Sequence, residues 1–192
     1  LFSQIRGGDH DFELAEMIRS GGLSNYLLKP MGVVEFIYIR GVASRLLVTA
    51  VCLVLGLGLS LALGHSPLRL LGAMGLALMG NIIHYQFGAV LSTASFYWEE
   101  SYSVLMIKNM IVSILSGELI PLSMFPKNME WIWKSTPFYL YVYGPTQFAL
   151  GKWSVAEFGQ AVAAATAWMI GFWILIRLSW GIGKHRYLSL GG

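Results

Sequence analysis

From Leu46 to Leu63 the chain carries no charged residue. A helix needs about 20 mostly apolar residues to cross a hydrocarbon core of about 30 Å. In lipid every backbone N–H and C=O must be satisfied internally, so such a run is helical or does not cross at all. This stretch therefore commits the chain to a membrane and to helices. Arg40 and Arg45 stand at its start, where their long side chains can reach the headgroups. Gly56, Gly58, Ser60 and Gly64 give it a small-residue face of the kind that lets helices approach closely. The first span is read as residues 41–64, with 33–40 either an interfacial lead-in or an extension of the same helix. Charged residues make up 12% of the chain, against about 25% in soluble domains, and 56% are hydrophobic. An all-α, polytopic transmembrane helical bundle follows. The net charge of +3 is too small for a nucleic-acid footprint, and the single cysteine, Cys52, lies inside the apolar run.

Three more apolar stretches read as spans: 70–95, 102–120 and 155–180. In the second, Asn81, His84, Gly88 and Ser92 fall near one helical stripe. Asn81 and His84 are candidates for lining a path. With no acid at i±3 or i±4, however, a structural hydrogen bond is the favoured role for the histidine. In the third, Lys108 lies one to two turns inside and is expected to snorkel outward. Glu118 lies near its far end, where a carboxylate needs water, a partner or a hydrogen-bond network. Ser154 followed by Glu157 is a capping-box signature for the start of the fourth. Residues 181–192 form a basic tail.

Two regions do not span. In residues 1–31, Asp9, Asp11, Glu13 and Glu16 precede or occupy the first turns of a short helix and Arg19 closes it, in keeping with the helix dipole. Phe12, Ala15 and Ile18, flanked by Leu14 and Met17, supply its apolar side, and Gly21 and Gly22 its stop. Such a helix rests on the bilayer or docks a cytoplasmic partner. Its acidity favours docking, because membrane-surface helices are usually basic. Between the third and fourth spans, Ser116 to Pro145 is broken by Pro121, Pro126, Pro137 and Pro145. It is crowded with Trp131, Trp133, Phe138, Tyr139, Tyr141 and Tyr143. Prolines break helices, and Trp and Tyr favour the headgroup level, so residues 121–150 are expected to lie in, or dip back into, one membrane face. Arg6, Arg19, Lys29, Arg40, Arg177, Lys184 and Arg186 flank one side. Arg69, Lys127, Lys134 and Lys152 flank the other. That bias places both ends in the cytoplasm and the broken segment outside.

The chain has no GxxxxGK[ST] loop, no HExxH, no cysteine cluster and no GxSxG elbow. No catalytic residue, metal site or cofactor is expected on it. A scaffold with an acidic cytoplasmic helix and an elaborate outer segment needs energy from elsewhere.

Three stretches carry a resemblance. Ile18 to Met31 (IRSGGLSNYLLKPM) resembles a cytoplasmic I-x-x-G-x-L…L-L-x-P element. Ser116 to Pro126 (SGELIPLSMFP), followed by Pro137-Phe138 and Pro145, resembles an outer G-x-x-x-P-L-x-x-F-P…P-F…P segment. Trp180 to Gly192 (WGIGKHRYLSLGG) resembles the matching tail. All three are similar to the permease subunit of type 2 ABC exporters, in the branch with six spans per subunit. The resemblance implies a single transmembrane permease domain over 1–192, lacking two spans that family members place before the cytoplasmic helix. It implies a coupling helix that contacts the ATPase through Asp11, Phe12, Glu13, Leu14, Glu16, Met17 and Arg19. It also implies outer half-helices forming a gate from Glu118, Pro121, Phe125, Pro126, Trp131, Pro137 and Phe138. The implied partners are an ATP-binding cassette subunit carrying ATP and Mg, a second permease (identical or homologous) and membrane lipids. The implied location is the bacterial inner membrane, and the implied passenger is amphipathic or lipid-like. Two other readings stand beside it. One is a non-catalytic assembly subunit of a membrane complex. The other is a lipid-modifying enzyme using His84, Glu118 and His185. A copurifying ATPase stimulated by the chain separates the first reading from both.

Overall fold

The computed structural model describes residues 10–20, 22, 23, 26, 31–62, 64, 66–98 and 101–189, with side chains for all of these except 10, 101, 127 and 184–189. The expectations resting on Arg6, Asp9, Gly21, Lys29 and the side chains of Lys184, His185 and Arg186 lie outside them. Among the described residues every regular element is helical. In chain order these are α1 (His10–Arg19), α2 (Val33–Ala62), α3 (Pro67–Ser92) and α4 (Ser101–Leu115), then the short α5 (Glu130–Lys134) and α6 (Tyr143–Ala149), and finally α7 (Val155–Ser189).

Among the described residues three helices are long and apolar enough to cross a membrane: α2, α3 with its 3₁₀ extension to Phe96, and α7. The open choice at residues 33–40 resolves to one continuous helix from Val33. The expected third span, 102–120, is shorter than the sequence suggested. Helix α4 has 15 residues, about 22 Å at 1.5 Å per residue, less than a hydrocarbon core of about 30 Å. Gly117 stops it with φ +80, the left-handed region open to glycine, and the Leu119 N–H bonds back to the Ser113 carbonyl. The helix of the fourth span runs on to Ser189, through the stretch read as a separate tail. Its capping box is formed: the Ser154 N–H donates to Glu157 Oε2 at 2.7 Å, and the Glu157 N–H donates to Ser154 Oγ at 3.2 Å.

The bundle is built around α3. On it pack α1, α2, α4, α6 and α7. Leu76, Ile83, Leu140, Ala161, Ala165 and Phe172 form one core between α3, α7 and the broken segment. Leu14, Ile18, Val33, Ile37, Tyr85 and Ala89 form another where α1 meets α2 and α3.

Candidate functional site

Two glycines let other segments reach the backbone of α3. A Cβ on Gly88 would lie 2.8 Å from the Asp11 side chain, and one on Gly80 would lie 2.7 Å from Tyr141 Cα. Gly80 and Gly88 are two turns apart on one helix face, about 12 Å. The cytoplasmic-type helix and the broken segment therefore touch the same face of α3 at nearby levels.

Between these contacts lies a buried polar column. Asp11, 5% exposed, pairs with Lys108 of α4, whose side chain is 1% exposed. Lys108 Nζ is 3.4 Å from His84 Nε2. An ammonium only donates, so in this contact Nε2 of the imidazole is the acceptor. The His84 ring stacks on Tyr141, centroids 5.9 Å apart. Ser92 Oγ lies 2.8 Å from the Asp11 carbonyl oxygen and 2.9 Å from that of Gly88. Tyr38 donates to Asn81 Oδ1 at 3.3 Å.

Three expectations change here. Lys108 does not snorkel, because a buried carboxylate stands opposite it. Asn81 and His84, 4% and 7% exposed, are enclosed by their own chain and do not line an open path. Helix α1 presents Asp11, Leu14, Ala15 and Ile18, spaced i, i+3, i+4, i+7, to the bundle. Asp11 and Leu14 are thus removed from any surface α1 offers a partner. Phe12, Glu13, Glu16, Met17 and Arg19 remain partly or fully exposed. Glu13 pairs with Arg40 of α2. Tyr102 donates to Glu16 at 2.8 Å, and its hydroxyl together with the Arg19 guanidinium holds the Glu16 carboxyl below the usual carboxylate range.

The residues implied as an outer gate also divide. Pro137 and Phe138 are buried, and Phe138 packs 5.3 Å from Phe87 of α3. Leu140 and Tyr141, 0% and 1% exposed, follow them into the bundle. Glu118, Pro121, Pro126 and Trp131 are exposed, and Phe125 is partly so. Glu118 accepts from Ser113 Oγ at 3.3 Å. The aromatics differ in burial: Trp131 is 68% exposed while Trp133 is 5% exposed.

A family model described as "ABC-2 family transporter protein" matches residues 9–191, nearly the whole chain. The chain belongs to the ABC-2 transporter family. No curated protein and no solved structure compared with it matches. As an ABC-2 permease it is a multi-pass membrane protein and a transport subunit rather than a catalytic one. Permeases of this family work with an ABC ATPase. That sets aside the enzyme reading built on His84, Glu118 and His185; His84 is held by Lys108 and Tyr141 inside the bundle.

Proposed function

We propose that this permease serves an ATP-driven exporter, with α1 as the helix an ABC ATPase grips and the broken segment as the outer gate. One observation carries this reading: α1 divides into a face buried against α3 and α4 and a half-exposed face bearing Phe12, Glu13, Glu16 and Met17, whose carboxylates are held at the surface by Arg40, Arg19 and Tyr102. A push on the outer face of α1 is passed inward through its buried contact with α3 and α4. The buried column Asp11, Lys108, His84, Tyr141 then offers a continuous route from the ATPase side to the gate. The partner supplies ATP and Mg, and a second permease completes the path for an amphipathic or lipid-like passenger. The bacterial inner membrane with both ends cytoplasmic fits the distribution of basic residues.

The test uses the complex purified from its native membrane in mild detergent. An ATP-binding subunit should copurify, and its hydrolysis should be stimulated by the permease. Glu13→Lys with Glu16→Lys also breaks the contacts to Arg40, Arg19 and Tyr102, so in a permease whose melting temperature shows it folded it should lower that stimulation by about tenfold. Stimulation unchanged by the double reversal would contradict docking through this face. A homogeneous, active complex without an ATPase would contradict the exporter reading.

A further inference from the structure

The broken segment and the start of α7 line a half-open cavity of about 470 Å³, within the size range of ligand pockets. Four aromatic rings line it: Trp133, Tyr139, Tyr143 and Trp153. They form a closed cycle. Trp133 meets Tyr139 and Tyr143 at centroid distances of 5.7 and 5.2 Å, and Trp153 meets the same two at 6.5 and 6.4 Å. Every neighbouring pair is steeply inclined, between 61° and 76°. Rings set this way make walls rather than a flat stacking platform. Glu130 and Glu157 line the same cavity.

Ring faces carry negative quadrupole charge and attract cations, most strongly when the cation is desolvated. The chain already places one there. Lys134 Nζ lies 5.3 Å from the Trp133 ring centroid and pairs with Glu130 one turn earlier. Its side chain is 55% exposed on a flexible stem, so it can leave the ring for water. Two carboxylates against one ammonium leave the cavity net negative. The Trp133 indole N–H is buried without a hydrogen-bond partner, so the packing there is not closed by the chain's own polar groups.

We infer that this aromatic box binds an organic ammonium group and that Lys134 is the placeholder it displaces. The ammonium can come from a small soluble cation or from a lipid headgroup. The site is separate from the α1 face and from the buried column. It is tested without an ATPase, so its failure leaves the transport reading untouched.

The experiment titrates the purified full chain in detergent with choline, following tryptophan fluorescence. It then compares thermal unfolding in nanodiscs of phosphatidylcholine and of phosphatidylglycerol. A saturable choline response marks a soluble ligand. Stabilisation by phosphatidylcholine alone marks a headgroup. Removing one ring by Trp133→Leu should weaken the response about tenfold. Trp133 is also a packing residue, so Tyr143→Leu and Tyr143→Phe carry the test where Trp133→Leu does not fold. The leucine should weaken binding and the phenylalanine should keep it. Lys134→Met should leave binding equal or tighter. No choline response together with equal stability in both nanodiscs would overturn the inference. So would loss of choline binding in Lys134→Met, which would make Lys134 a part of the site and not the group that the ammonium displaces.

Discussion

Helices α2 and α3 are both long enough to cross a membrane, yet 6% of the apolar window of α2 is buried against 56% of that of α3. The more apolar helix is the less enclosed one. Helix α2 exposes Leu46, Leu47, Val51, Val54, Leu55 and Leu59. Helix α3 buries Asn81, His84 and Ser92, together with Gly80 and Gly88. In lipid, apolar surface gains little by meeting another apolar helix, so association is driven by close packing and polar contacts. Small and polar residues therefore mark the hub, and unbroken leucine and valine mark the outside.

That contrast can be broken in graded ways. The largest effect is expected at the buried pair. Lys108→Met leaves the Asp11 carboxylate enclosed and unpaired, which should cost about 3–5 kcal/mol and lower the melting temperature of the purified permease sharply. A melting curve unchanged by this substitution would show that α1 is not seated on α4. A smaller effect is expected at the glycines. Gly80→Ala drives a Cβ into the Tyr141 and Leu140 backbone and should cost about 1–3 kcal/mol. Gly58→Ala on α2 meets nothing within 4 Å and should be neutral or stabilising by up to about 1 kcal/mol, from helix propensity. Equal responses at the two sites would erase the distinction between hub and outer helix.

Much of this was legible in the sequence. The uncharged run from Leu46, the proline spacing and the Ser154–Glu157 box all act over a few residues, and local signals suffice for them; the stop at Gly117 was not legible, because the apolar run continues past it to Ile120. Helix α1 was visible too, with Leu14, Ala15 and Ile18 on its apolar side, but Asp11 was not placed there and Phe12 and Met17 are only half-buried. An acid in the first turn satisfies the helix dipole wherever it points, so Asp11 gave no sign that it faces the bundle. Its partner lies 97 residues away, beyond any periodicity. The available clue was joint: Asp11, Leu14, Ala15 and Ile18 make a clean i, i+3, i+4, i+7 stripe containing one acid, while Lys108 stands alone in an apolar helix. Each is costly by itself and inexpensive with the other. The aromatic box was hidden for a similar reason. The sequence shows a crowd of rings, but only the turns at Pro137 and Gly151 bring Trp153 back beside Trp133.

The most direct measurement of the central claim is a double-mutant cycle on Asp11 and Lys108, read by unfolding of the full chain in detergent. If α1 is locked to the bundle through this pair, Asp11→Leu and Lys108→Met should each be strongly destabilising. The double variant should then recover at least about 2 kcal/mol relative to their sum. Additive losses would mean that the two side chains do not meet, and that the route from α1 through α3 to the broken segment does not exist.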